Sequence, residues 1–212
     1  MSRPRVKAMA HEALAKGEPT AWFERVYEDA AGETGAVPWA DLAPNPSLVD
    51  WPAMPEAIRA LVVGCGLGDD AEWLAARGME VMAFDLAPAA VAWAKKRWAN
   101  THVHYVVGDL LAPPASWSGA FDFVFEAYTL QSLPPDLRAR AASLLPSFLA
   151  KGGTLLVVAR GTDVAPRIED GPPWPLTRSE IDAAGAGLAP RGFDDFPDET
   201  GVRRFRAWFE RV

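Results

Sequence analysis

The stretch Arg59-Ala-Leu-Val-Val-Gly-Cys-Gly-Leu-Gly-Asp-Asp70 decides the fold of this chain. Its apolar run, Leu61-Val-Val63, is typical of a parallel strand that is covered on both faces. The run stops at three glycines spaced two residues apart, Gly64, Gly66 and Gly68, and a helix-like segment follows. Because glycine lacks a Cβ, such a turn can take positive φ and lets a ligand lie on its backbone. The stretch predicts strand, turn and helix around a nucleotide-like cofactor.

Apolar runs that alternate with helical patterns continue through the rest of the chain. Four of them predict further strands: Glu80–Phe84, Val103–Val107, Phe121–Phe125 and Thr154–Ala159. We expect a helix from Leu133 through Leu149 that stops at Lys151-Gly-Gly153, and a closing hairpin from Gly192–Phe196 and Val202–Phe209. A barrel would need about eight strand–helix units. The pattern therefore predicts an α/β fold with a doubly wound, mostly parallel, seven-stranded Rossmann-like sheet and an antiparallel C-terminal hairpin.

The composition of the chain limits which partners it can bind and in which cellular compartment we expect it. The chain has 212 residues, half of them apolar, which suits one core with an N-terminal extension. A net charge of −7 argues against a nucleic-acid substrate. One cysteine and three histidines provide neither a disulfide nor an apparent metal cluster. No apolar run has membrane-spanning length. We expect a soluble cytoplasmic protein, monomeric or homodimeric, that binds no metal, nucleic acid or membrane.

Polar residues follow the predicted strands at the edge where ligands of open α/β sheets bind. These are the glycine turn, Asp85, Asp109 and the segment Glu126–Thr129. In such sheets the binding crevice lies outside the carboxyl ends of the strands. Asp85 also stands about 20 residues after the first glycine, where a ribose-binding acid is expected. The four segments are predicted to meet in one crevice.

The spacing of the glycines separates two classes of cofactor. The pattern is G-x-G-x-G, and Asp69 and Asp70 stand where a dinucleotide site needs its third glycine and a helix start open to phosphate. Two carboxylates there would repel a pyrophosphate. S-adenosylmethionine has no phosphate and carries a sulfonium and an ammonium group, so the acidic turn favours it.

The motifs together resemble those of class I S-adenosylmethionine-dependent methyltransferases, over roughly residues 57–160. They are Val62–Gly68, Phe84–Leu86, Gly108–Leu110, Phe121–Val124 and Gly152-Gly153. The resemblance implies that the turn Gly64, Cys65, Gly66 and Gly68 cradles the methionine moiety and that Asp85 binds the ribose hydroxyls. It also implies that Leu86 and Leu110 pack on adenine, that Asp109 accepts from its amino group, and that Glu126 lies near the methionine amine.

The N-terminal part is similar to the leader of the thiopurine, thiol and halide methyltransferase group and its tellurite-resistance relatives. The similar segments are Trp22–Tyr27, Val37–Asp41 and Asn45–Leu48. The resemblance implies an aromatic-rich arm or lid over residues 1–50, closing with Trp22 and Trp39 over the cofactor, and a methyltransferase domain over residues 51–212. From the residues alone, the helical stripe that contains Trp22 and Tyr27 favours packing over cofactor contact.

The predicted reaction is methyl transfer to a small-molecule acceptor, with a thiol slightly favoured over an oxygen or nitrogen atom. A thiol or carboxylate acceptor can arrive largely ionised, whereas a hydroxyl or ammonium group needs a base, and the sequence contains no assured base. Tyr128 is the candidate catalytic residue, although it could equally pack. Thr129, Gln131, Arg160 and Arg167 are weaker candidates near the acceptor, the arginines with a solvated surface position as the alternative. Cys65 is interpreted as a small turn residue.

Two other functions stay open at this point. A nicotinamide-dependent oxidoreductase shares the glycine turn and the distal acid. A non-catalytic S-adenosylmethionine-binding module is compatible with the uncertain base. The segment after the fourth strand, Glu126-Ala-Tyr-Thr129, lacks the Asn/Asp-Pro-Pro-aromatic pattern of nucleic-acid base methylation, which favours a small-molecule acceptor.

Overall fold

The strands of the chain form one seven-stranded sheet in a computed structural model that describes all 212 residues. They are β1 (Arg59–Val63), β2 (Glu80–Asp85), β3 (His104–Val107), β4 (Phe121–Ala127), β5 (Leu149–Arg160), β6 (Ala189–Pro197) and β7 (Arg203–Glu210). The order in the sheet is β3-β2-β1-β4-β5-β7-β6. The first five strands are parallel, and β7 runs antiparallel to both β5 and β6. The predicted fold class is confirmed.

Helices cover both faces of the sheet, which explains the near-continuous apolar runs. The helices are α1 (Arg3–Ala15), α2 (Trp22–Ala30), α3 (Pro46–Val49), α4 (Asp69–Ala75), α5 (Pro88–Arg97), α6 (Pro135–Leu144) and α7 (Arg178–Ala184). Leu61 and Val63 pack into the core beneath α6 and α7, whereas Val62 packs into the core beneath α4 and α5. Successive strand residues point to opposite faces, so a doubly covered strand needs apolar residues at every position. No helix is long and apolar enough to cross a bilayer.

The boundary between α6 and β5 differs from the prediction. The expected helix through Leu149 ends at Leu144 and continues only as a 3₁₀ turn over Leu145–Phe148. Pro146 explains this, because it lacks an N–H and its ring clashes with the preceding helical turn. Gly152 and Gly153 consequently lie inside β5 rather than at the end of a helix. A Cβ at Gly153 would press on the carbonyl oxygens of Ala150 and Phe121.

The N-terminal segment is more regular than the sequence indicates. Residues 1–19 read as a loose arm or a short helix, but α1 spans 13 residues and packs Val6 and Met9 against Trp22 of α2. Both Glu24 carboxylate oxygens accept from the Ala89 N–H at the start of α5, at 3.1 and 3.0 Å. A carboxylate is favourable there because the first N–H groups of a helix have no partner within it. The arm is thereby joined to the cofactor side of the sheet.

Candidate active site

A cavity of about 1130 Å³ opens at the carboxyl edge of the parallel strands. Its lining comes from the turn after β1, the ends of β2 to β5, the β6–β7 hairpin and the arm. The sequence placed the binding crevice at this edge. The cavity is large enough for a nucleoside-sized cofactor together with a small acceptor.

The glycine turn shows why glycine stands at each position. Gly64, Gly66 and Gly68 have φ values of 62°, 52° and 91°, in the left-handed region that disfavours other residues. A Cβ at Gly64 would collide with Thr129, and one at Gly68 would collide with the Tyr105 hydroxyl. Gly64, Cys65 and Gly66 line the cavity, whereas Gly68 caps α4 and lies outside the lining. The cradle for a ligand is therefore the first half of the turn.

Asp85 ends β2 beside this turn. Its two carboxylate oxygens accept from Gly66 N and Ala87 N, both at 2.9 Å. The side chain is buried at the cavity wall, and burial raises its pKa although these two N–H groups oppose the rise. A carboxylate has about four lone-pair positions, so hydroxyl groups of a ligand can still donate to it. Asp85 therefore shapes the turn and lines the cavity.

The predicted adenine-binding residues also meet at the cavity. Leu86, Asp109 and Leu110 line it together with Gly108. Asp109 Oδ1 accepts from Leu111 N at 2.8 Å, which leaves Oδ2 without a partner in the protein. A free acceptor in a cavity wall that also contains two leucines suits a planar ring that carries an exocyclic amino group.

The two acids at the start of α4 differ in their electrostatic effect. Asp69 forms a bidentate ion pair with Arg97, with both contacts at 2.6 Å, so its charge is compensated. Asp70 has no cationic partner; its Oδ1 accepts from Asn45 N at 2.6 Å, and burial raises its pKa to about 6. The repulsion of a pyrophosphate that the sequence assigned to two carboxylates therefore comes mainly from Asp70.

Glu126 occupies a different position from the one predicted. Its side chain is fully buried and lies outside the cavity lining. Oε1 accepts from Leu130 N at 2.9 Å, Oε2 has no partner, and burial raises the pKa to about 7. This placement does not provide the predicted contact with a methionine amine. Glu126 instead holds the turn that follows β4.

Tyr128 lies at the end of β4 in a strained backbone conformation. Its φ is 65°, which is rare for a residue with a bulky side chain. Its ring lines the cavity, and the Arg204 guanidinium lies 5.0 Å from the ring centroid. Burial raises the pKa of its phenol, so the hydroxyl stays protonated near neutral pH. Strain of this kind is concentrated at functional sites, which makes Tyr128 the leading candidate for contact with the acceptor.

The aromatic arm reaches the cavity through three linked rings. Trp22 is almost completely buried, and Trp39 is 39 % exposed at the rim. Trp39 Nε1 donates to the Tyr27 hydroxyl at 2.9 Å, and the Trp39 ring is in edge contact with both Trp22 and Tyr27. The helical spacing of Tyr27 predicts packing, yet its hydroxyl faces Gly66. Only the fold could show this, since a packing stripe and a binding stripe have the same period.

The weaker candidates separate into two groups. Arg160, Gln131 and Thr129 line the cavity, but Thr129 Oγ1 donates to Val63 O at 3.2 Å and joins two strand ends. Arg167 is exposed, pairs with Glu169 and Asp170, and lies outside the lining. The sequence missed three further lining arginines, Arg3, Arg204 and Arg206, because none of them belongs to a motif.

Cys65 behaves as a turn residue. Its N–H donates to Phe84 O at 2.8 Å, and burial together with the Asp85 carboxylate raises its thiol pKa well above the usual value. A protonated thiol is a poor nucleophile.

The sequence and the fold both match known methyltransferases. A family model described as thiopurine S-methyltransferase (TPMT) matches residues 33–188. A thiopurine S-methyltransferase of Pseudomonas entomophila is 29 % identical over 188 residues, which cover 80 % of this chain and 83 % of that protein. A probable thiol methyltransferase of Arabidopsis thaliana is 26 % identical over 87 % of this chain and 78 % of its own length.

Solved structures match the fold at lower identity. An N-methyltransferase of Bradyrhizobium japonicum, solved with S-adenosyl-L-homocysteine, superposes with a TM-score of 0.62 at 19 % identity, over 73 % of this chain and 78 % of that one. At this identity the likeness concerns the fold alone.

Proposed function

The chain belongs to the thiopurine S-methyltransferase family, and from that premise we propose that it methylates the sulfur atom of a small-molecule thiol. It is an S-adenosylmethionine-dependent methyltransferase. The choice of sulfur rests on one observation: the family match spans residues 33–188, which include the glycine turn, Asp85, Tyr128 and Arg160. The named thiopurine and thiol methyltransferases among its relatives support the same choice.

We assign the cofactor to the half of the cavity formed by β1, β2 and β3. Gly64, Cys65 and Gly66 supply a backbone that a ligand can approach closely, and Asp85 and Asp109 supply acceptors for hydroxyl and amino groups. Leu86 and Leu110 enclose a ring, and Trp22 and Trp39 close the site from the arm. The uncompensated carboxylate of Asp70 suits a cationic, phosphate-free ligand.

Positioning is the main task of this chain in the reaction. S-adenosylmethionine supplies an electrophilic methyl group on a sulfonium sulfur, and a thiolate acceptor needs no base during the displacement. The buried aromatic arm excludes water, and Tyr128, held at positive φ, orients the acceptor in line. The protonated Tyr128 hydroxyl is a hydrogen-bond donor, which suits it to contact a thiolate rather than to remove a proton.

A labelled-methyl transfer assay tests the choice of acceptor atom. The full chain is incubated with methyl-labelled S-adenosylmethionine and four matched acceptors: thiophenol, phenol, benzoic acid and aniline. Thiophenol is expected to be labelled fastest. Because Cys65 is the chain's own thiol, a Cys65→Ser variant serves as the control for self-labelling. Label only in phenol, benzoate or aniline would refute sulfur as the acceptor atom.

No finding favours a nicotinamide-dependent oxidoreductase or a non-catalytic module. The division at residue 50, the cytoplasmic location, the lack of a nucleic-acid partner and the monomeric or homodimeric state stay predictions.

A further inference from the structure

Arg160 is a cation without a counter-charge at the wall of the cavity. It ends β5, is half-buried and lines the cavity, and its guanidinium takes part in no ion pair or hydrogen bond within the protein. The other lining arginines of the sheet differ, because Arg204 pairs with Asp198 and Arg206 pairs with Asp194, each at 2.6 Å. A charged group that loses hydration without gaining a partner is costly.

A second cost comes from neighbouring charges. Arg160 and Arg204 are directly opposite each other on the antiparallel strands β5 and β7, so their side chains lie on the same face. Like charges at such positions destabilise a sheet. Burial, followed by the charges of Arg204 and Arg3, lowers the pKa of Arg160. An anion in the cavity would offset both costs.

The side-chain amide of Gln131, beside Arg160, also has a free hydrogen-bond donor. Gln131 is buried, its Oε1 accepts from Arg160 N at 2.7 Å, and its amide nitrogen donates to no protein atom. The Asp198 carboxylate, whose charge opposes the lowering of the Arg160 pKa, already accepts from Thr200, Val202 and Arg204. The corner of the cavity around Arg160 therefore presents unused donors and no free acceptor from these residues.

The corner is remote from the glycine turn. β5 is two strands away from β1, which corresponds to about 10 Å at the usual strand spacing. Leu133, Pro172, Pro173 and Phe193 also line the cavity. A molecule of about that length, with an anionic group at its far end, matches the separation of β1 and β5.

We propose that Arg160 binds a carboxylate of the methyl acceptor, at the end remote from the reacting atom. This inference rests on the proposed function and refines it: the acceptor is a thiol that carries a carboxylate. Arg160 determines specificity, and Gln131 fixes the position of its backbone and adds a donor.

Equilibrium binding tests the inference without turnover. We use the full chain saturated with S-adenosylhomocysteine and two product-like probes, 4-(methylthio)benzoate and thioanisole, which differ by the carboxylate. The wild type is expected to bind the carboxylate probe about 10- to 100-fold more tightly, as charge-assisted hydrogen bonds do. Arg160→Gln is expected to abolish this preference and to leave the affinity for thioanisole unchanged.

The matched control is Arg191→Gln, which removes an exposed arginine that is paired with Glu210 outside the cavity. It is expected to keep the preference. The inference is overturned if Arg160→Gln still prefers the carboxylate probe. It is also overturned if the variant binds both probes more weakly by the same factor, because the role of Arg160 is then structural. Turnover of 4-mercaptobenzoate and of thiophenol then tests the proposed function separately. Failure to methylate both thiols refutes sulfur as the acceptor atom. The binding result decides the role of Arg160 in either case.

Discussion

Replacing Glu126 by glutamine is expected to make the protein more stable at alkaline pH and to leave its stability unchanged at acidic pH. Glu126 is fully buried, its Oε2 has no partner, and burial raises its pKa from 4.5 to about 7. Glutamine has nearly the same shape, and its Oε1 can still accept from Leu130 N. The substitution therefore removes the ionisation and little else.

The direction follows from proton binding. Between pH 4.5 and about 7 the native carboxyl holds its proton while the unfolded one has lost it, so the native state binds more protons. The stability from this group is fully present below pH 4.5 and is lost as the pH rises to about 7. At about 1.36 kcal/mol per pH unit, the whole loss is roughly 3 kcal/mol. The glutamine variant does not ionise, so it does not lose this stability.

Thermal unfolding of the ligand-free wild type and Glu126→Gln from about pH 4 to about pH 8 measures the effect. The melting temperatures should nearly coincide at the acidic end and differ by roughly 5 to 10 °C at the alkaline end. Asp70 and Asp85, whose pKa values are also raised, affect both proteins alike and cancel in the difference. Glu56→Gln, at an exposed position, is the matched control. Parallel curves over the whole pH range would refute the assignment of a buried ionisation to Glu126.

Three further substitutions test the cofactor and acceptor sites. Asp85→Ala should weaken S-adenosylhomocysteine binding in calorimetry by about 1–3 kcal/mol, because ribose hydroxyls lose their acceptor; unchanged affinity would contradict the assignment. Tyr128→Phe should lower kcat about 3- to 10-fold with unchanged cofactor affinity, since it removes one donor to the acceptor; unchanged kcat would reduce Tyr128 to a packing role. Tyr27→Phe removes the partner of Trp39 Nε1 and should accelerate amide hydrogen exchange around Trp39; unaltered exchange there would show that this hydrogen bond does not hold the arm.

Local sequence signals were sufficient to predict the structure where a residue type is favoured in only one local conformation. The left-handed turn after β1 needs glycines at all three positions, and these glycines are visible in the sequence. The capping box of α7 is equally direct: Thr177 and Glu180 each accept from the other's backbone N–H. The predicted start of β5 was wrong because the apolar residues of 144–149 fit a helix by period, whereas Pro146 ends the helix at Leu144.

The sequence by itself determined the fold class, the edge of the sheet at which the ligand binds, and the cofactor chemistry. Period-2 and period-3.6 patterns and glycine spacing are local properties of the chain, so they can be read without coordinates. Tertiary structure alone decided which side chains face the cavity. It placed Glu126 behind the wall, compensated Asp69 through Arg97, and brought Tyr27 to the glycine turn. Burial and ion pairing depend on residues that are distant in sequence, and for that reason only the folded chain showed that Arg160 lacks a counter-charge.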